Sequence, residues 1–253
     1  LLEASVIQWQ WKEDVFPECD QFNGIHEGLV QSWKDIFPKK GEIHFAGALE
    51  NNEDTGTLQY LASTAMEAGF STRVLDMQAL DLQNGRFFDP AGELVNRCFK
   101  LYPWEWMVDE SPDGCLAEME WLEPIWKLVM SNKAILATLY ELFPDSPYVL
   151  PCYLSRPRSG LFCKKPIFSR EGHNVSVVDI RDWEEYVRIA ETEGDYNTGA
   201  YVYQEYVEPT AYSGRYPVIG SWIIGGEAAG IGIRENRMEV TDNLSEFVPH
   251  IIG

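Results

Sequence analysis

The chain has 253 residues, 45% of them hydrophobic and 13% aromatic, enough to bury a sizeable core as one large or two smaller domains. Forty acidic against 20 basic side chains give a formal net charge of −20, which repels nucleic acid and anionic membrane surfaces and concentrates cations, polyamines and metals included. No apolar run approaches the ~20 residues that span a bilayer, the opening LLEASVIQWQWKED has no basic n-region or cleavage pattern, and five scattered cysteines without a CxxC pair suggest neither a disulfide framework nor a zinc site.

A cytoplasmic protein with reduced thiols is expected. The chain opens without methionine, in a pattern like the middle of a helix, so a segment ahead of Leu1 is expected too. Apolar positions at helical spacing (Val6, Trp9, then Phe22, Ile25, Leu29, Trp33) predict two helices before Pro38. EIHFAGAL (42–49) alternates as a strand, DTGTLQYLASTAMEAG (54–69) starts on an N-cap candidate and ends on Gly69, and STRVLDMQAL (71–80) is apolar and partly β-branched. These three make one β-α-β unit. GRFFDPAGE predicts a hairpin-like turn, LVNRCFKLYPWEWMV a strand running into an aromatic loop, and the stretch from about 117 to 142 a helix that ends at Pro144. Beyond it come short strands, YVLPCYL, LFCKKPIF, HNVSVVDI, AYVYQEYV, RYPVIGSWIIGGEAAGIGIRE and RMEVTDN, interrupted by a predicted helix, DWEEYVRIAETE, at about 182–193. The expected fold class is α/β (α+β), with an α/β part over 1–120 and a β-rich part over 121–253, though no Gly/Ser linker marks the boundary.

Candidate chemistry centres on KKPIFSREGHNV, where a lysine at a strand end precedes a glycine-containing loop and a second strand. Such a segment presents an ammonium and backbone N–H groups to phosphate oxygens, although the spacing is neither a Walker loop nor GxGxxG. Alone it reads more readily as a surface hairpin whose lysines offset local acid. Three further segments bear on it: SNKAIL puts Lys133 near a helix end, YVYQEYVEP is a strand breaking at Pro209, and GIGIRENRMEVTDN carries Arg234 on a strand. Two lysines, a glycine loop and a strand-linker with a carboxylate recur together in ATP-grasp enzymes. The blocks LLEASVIQW, DQFNGIHEGL, FKLYPWEWM, EPIWKLVMSNKAIL, KKPIFSREGHNV and IGSWIIGGEAAGIGIRE…SEFVPHII, in that order along nearly the whole chain, resemble the synthetase domain of the glutathionylspermidine synthase family.

The resemblance implies a pre-ATP-grasp α/β domain followed by an ATP-grasp-type β-rich domain, and a C–N ligase that activates a carboxylate as an acyl phosphate for attack by an amine. It implies that Lys133 and Lys165 contact the nucleotide phosphates, that Glu171 and Gly172 lie in the loop closing over them, and that Gln204, Glu205, Tyr206 and Val207 form the hinge facing adenine. Glu239 and Thr241 fall near the nucleotide, and Arg234 is the implied electrostatic catalyst at the transferring phosphoryl group. Glu53 and Asp54 match acidic positions near an amine pocket, where two carboxylates hold ammonium groups; helix capping accounts for them equally well. The implied cofactors are ATP and Mg2+, with the metal-holding carboxylate and asparagine expected ahead of Leu1, so Glu3 is not read as a metal ligand. The implied partners are a small-molecule or short-peptide carboxylate and an amine, such as a polyamine, with no nucleic acid and no membrane. Two rival readings stay open: a nucleotide-binding pseudoenzyme, and an ATP-independent acidic polyamine- or peptide-binding protein. Trp104, Trp106, Trp121 and Trp126 are expected in the core and pocket wall, and His26, His44, His173 and His250 in hydrogen-bonded structural roles.

Overall fold

In the computed structural model, which describes residues 1–182, 186–196, 199–238 and 245–253, β1 (Glu42–Gly47) is buried from its second residue to its last. A strand buried on both faces needs covering on both, and here the neighbours are parallel. The first helices are α1 (Gln8–Val15), entered through a π-helical turn at Glu3–Ile7, and α2 (Ile25–Ile36). After β1 come α3 (Asn52–Glu67), β2 (Ser71–Asp76) and a small antiparallel sheet of β3 (Asp81–Gln83), β4 (Arg86–Phe88) and β5 (Leu94–Val95). Then follow β6 (Arg97–Leu101), α4 (Trp104–Glu110), α5 (Pro112–Cys115) and β7 (Glu120–Leu122). The parallel sheet has the order β2-β1-β6-β7. The chain leaves β1 towards β2 on one side and reaches β6 on the other, so the strand order reverses between β1 and β6.

The core of this sheet is aromatic. Trp33 meets Phe45 edge-on at 5.5 Å and donates its indole N–H to Thr64 at 2.9 Å, which satisfies the polar atom that burial would otherwise strand. Leu58, Leu61, Ala62 and Ala65 of α3 close the same cluster. Gly47 is required where it stands, because a Cβ there would lie 2.9 Å from a Leu58 methyl.

The later elements are α6 (Leu128–Ser131), α7 (Ala134–Leu142), β8 (Cys152–Tyr153), β9 (Gly160–Pro166), β10 (Ser176–Ile180), β11 (Tyr186–Glu191) and β12 (Tyr201–Glu205). They form a sheet of order β11-β10-β9-β12-β8, covered by α7 through Ala137, Cys152 and Val202. A final sheet joins β13 (Tyr216–Ile224), β14 (Glu227–Asn236) and β15 (Glu246–Val248). Residues 1–128, 219–233 and 247–253 group as one compact unit, and 129–218 with 234–246 as a second. Among the described residues no helix is long and apolar enough to cross a membrane.

Three predicted elements differ. The 117–142 stretch is not one helix: β7 takes its start, Pro124 cannot donate within a helix, and helix resumes only as a 3₁₀ turn, α6 and α7. The aromatic loop is the helix α4, entered from Pro103. Of the predicted helix at 182–193, residues 186–191 are the strand β11, because the open edge of β10 offers a ladder that helical periodicity in the sequence does not reveal; residues 183–185 lie outside the described residues.

Candidate functional site

In the second unit, Lys133 sits at the start of α7 and its backbone N–H bonds the Ile167 carbonyl at 2.8 Å, two residues beyond Lys165 on β9. Its ammonium reaches the Ser169 hydroxyl at 2.9 Å and also the Ser169 carbonyl. Lys165 reaches the Gln204 amide oxygen at 2.6 Å. Lys165 and Lys164 point to opposite faces of β9, as neighbours on a strand must; Lys164 instead lies 3.9 Å from the Tyr201 ring centre. The structure therefore brings Lys133, Lys165, Gln204 and the loop that begins at Ser169 to one end of β9.

That loop turns through Glu171 (φ 57°) and Gly172 (φ 73°), left-handed positions where glycine fits without penalty. It is cross-braced. Thr192 donates to the Gly172 carbonyl, Asn174 donates to the Gly194 carbonyl at 2.8 Å and accepts from the Tyr196 N–H at 2.8 Å. A Cβ on Gly194 would lie 2.5 Å from His173, so only glycine allows this brace. In the hinge, Glu205 and Tyr206 spend their N–H groups on the Pro151 and Leu161 carbonyls, at 2.8 and 3.0 Å, while Val207 is 60% exposed. Arg234, on β14, donates to the Ser245 carbonyl at 3.4 Å; Glu235 instead faces Arg215 at 3.9 Å. Glu239 and Thr241 lie outside the described residues.

In the first unit, Glu53 and Asp54 stand in the first turn of α3, just after the carboxyl end of β1. The cap is Asn51, whose side chain accepts from the N–H groups of Glu53 at 2.9 Å and Asp54 at 3.4 Å. The crevice between β1 and β6 is where the strand order reverses, the usual ligand position in an open parallel sheet. Glu53 and Asp54 stand on the loop-to-helix turn leaving β1 beside it, and Tyr102 and α4 follow β6 on its other side.

The sequence reading missed Lys100. It is 7% exposed, donates to the Tyr102 carbonyl at 2.6 Å and lies 3.8 Å from the Trp104 ring centre. Burial pulls its pKa down to about 8. The available signal was a lysine at an alternating, inward position of the strand RCFKL, two residues after the buried Cys98. Trp104 and Trp121 are buried against each other, but Trp106 and Trp126 are exposed rather than core. His26 bonds Tyr60 and Glu67, and His250 bonds Gln8 and the Phe22 N–H. His44 has no hydrogen-bond partner on either ring nitrogen, although it is 2% exposed. His173 packs its ring against Tyr196, with centroids 5.9 Å apart.

The family model described as glutathionylspermidine synthase pre-ATP-grasp matches residues 1–253. A provisionally named acid–amine ligase of Haemophilus influenzae is 36% identical over 264 residues, which cover 99% of this chain and 67% of that protein. The trypanothione synthetase of Crithidia fasciculata is 28% identical, over 98% of this chain and 42% of its own. The bifunctional glutathionylspermidine synthetase/amidase of Escherichia coli is 26% identical, over 99% and 45%. The chain thus spans less than half the length of the last two. A crystal structure of a provisionally named gamma-glutamylcysteine synthetase from Methylobacillus flagellatus aligns over 90% of this chain and 75% of that one with a TM-score of 0.55 and 8% identity, a likeness of fold.

Proposed function

Because the chain belongs to the glutathionylspermidine synthase pre-ATP-grasp family, we propose that it is part of an ATP-dependent ligase joining a small-molecule or short-peptide carboxylate to an amine of polyamine type. The observation that supports this best is the meeting of Lys133, Lys165 and the Glu171–Gly172 turn at one end of β9. Bound ATP supplies the phosphoryl group that makes the carboxylate an acyl phosphate, from which the amine nitrogen displaces phosphate as the amide C–N bond forms.

Each residue then has a distinct task. Lys133 and Lys165 exchange their present acceptors, Ser169 and Gln204, for phosphate oxygens. Glu171 and Gly172 lie over the phosphates, and Gln204 to Val207 meet the base edge through backbone groups other than the N–H of Glu205 and Tyr206, which are already bonded. Arg234 neutralises charge on the transferring group. Glu239 and Thr241 are assigned near the nucleotide. Glu53 and Asp54 hold the amine's ammonium groups. Among the described residues no group of three His, Cys, Asp or Glu side chains stands together as a metal cluster, and no step is routed through magnesium.

Calorimetric titration of ATP into the chain tests this reading. Saturable heat that disappears in Lys133→Met and Lys165→Met chains supports it. Heat indifferent to both replacements, or no heat at all, overturns it.

A further inference from the structure

At the amino ends of the parallel strands, opposite Glu53 and Asp54, lies a cavity of about 670 Å³ lined in part by Glu42, His44, Leu94, Glu118, Met119 and Glu120. Strand β1 separates the two ends by roughly 17 Å at about 3.3 Å per residue. The cavity's cations are already engaged. Lys40 donates to the Ala68 carbonyl and lies 4.3 Å from the Phe70 ring centre. Arg97 donates to Glu120 at 2.7 Å and to the Lys39 carbonyl at 3.1 Å.

Its acceptors are not exhausted. Glu118 and Glu120 each meet an arginine through Oε2 alone, and both side chains are exposed. Glu42 bonds Arg73 through Oε1 at 2.8 Å, which leaves Oε2 3.7 Å from His44 Nε2. His44 is the unexplained group: a buried imidazole that lines this space, whose ring nitrogens make no hydrogen bond of good geometry although the Arg97 backbone faces the ring. Leaving a buried polar group unpaired is costly, and a donor placed in the cavity would pair it. Burial holds the His44 pKa below its ordinary value, so the ring is neutral and carries a lone pair. Carboxylates and a neutral imidazole ask for N–H donors, whereas Leu94 and Met119 suit a methylene stem.

We propose that this cavity is a second binding site, one that takes an alkyl ammonium such as one end of a polyamine. It is separate from the amine pocket assigned to Glu53 and Asp54 and does not depend on that assignment. The ligand's ammonium lies among Glu42, Glu118, Glu120 and His44, with its chain along Leu94 and Met119.

Spermidine titrated into the full chain tests the proposal, with Glu53→Gln/Asp54→Asn as the background that removes the other pocket. Binding persists in that background and weakens tenfold or more in Glu118→Gln/Glu120→Gln, about tenfold being the effect of each charge-assisted hydrogen bond lost. Both glutamates are exposed, so these replacements leave the fold intact. Glu13→Gln/Asp14→Asn removes the same charge from α1 and leaves affinity within twofold. Tetramethylammonium, which has no N–H to donate, does not compete. Equal losses in the two charge-matched variants, competition by tetramethylammonium, or no saturable binding in the background chain would each overturn it, the first two by showing diffuse attraction to an acidic surface.

Discussion

The Lys133 ammonium donates to the Ser169 hydroxyl at 2.9 Å and to the carbonyl of the same residue. A lysine assigned to phosphate is thus held by the first residue of the loop assigned to cover it. Nucleotide binding must exchange these bonds, each worth about 1 kcal/mol net. Ser169→Ala removes one competitor and should tighten ATP a few-fold, while Lys133→Met should weaken it about tenfold or more. If both replacements weaken binding equally in a calorimetric titration, Ser169 is a phosphate ligand rather than a competitor.

Arg234 is half-buried and donates to the Ser245 carbonyl at 3.4 Å. Arg234→Ala is compared with the parent chain by thermal melting, so that activity is read only on folded protein. In the proposed ligase reaction Arg234→Ala should lose phosphoryl transfer by about 10³ or more, the scale for one such charge. Near wild-type release of ADP from the variant would remove Arg234 from the mechanism.

The α/β unit was readable where one force dominated. EIHFAG and the α3 pattern declare a buried strand and its covering helix because apolar burial alone decides them. DWEEYVRIAETE reads as a helix because the partner that makes 186–191 a strand, the open edge of β10, is remote in sequence. Position in the fold is likewise invisible locally: Lys165 and Lys164 are adjacent in sequence, and only the pleat and the register with β12 put Lys165 with Gln204. His44 and Lys100 sit on largely buried strands, where a polar letter does not announce whether the fold provides it a partner.

Capping and substrate binding at α3 can now be separated. Asn51 supplies the cap, so Asn51→Ala should cost about 1 kcal/mol in urea unfolding. Glu53→Gln/Asp54→Asn gives up the interaction with the helix dipole, about 0.5 kcal/mol, yet should raise the KM for the amine about tenfold or more in the proposed ligase reaction. A large stability loss with unchanged KM would return both acids to a structural role.

Lys100 carries a charge in a place that disfavours it. Burial is the main cause of its pKa of about 8, and Cys98, Glu105, Cys115 and Glu123 offset this only in part. In the unfolded chain a lysine titrates near 10.5. Below pH 8 both states hold the proton and the folded state bears the full penalty, about 3 kcal/mol. Between pH 8 and 10.5 the folded chain releases the proton while the unfolded chain keeps it, so this group makes stability rise with pH across that window. The raised pKa values of Cys98 and Tyr102, each about 12, act in the opposite direction at higher pH, so the informative quantity is a difference between variants. Lys100→Met keeps the length of the side chain and removes the charge, at the expense of the Tyr102 and Trp104 contacts. Urea unfolding at pH 7 should find Lys100→Met more stable by about 1–3 kcal/mol, with the gap closing towards pH 10.5. A variant less stable than the parent at pH 7, with no change of the gap with pH, would show that the carbonyl and indole contacts outweigh the cost of burying the ammonium.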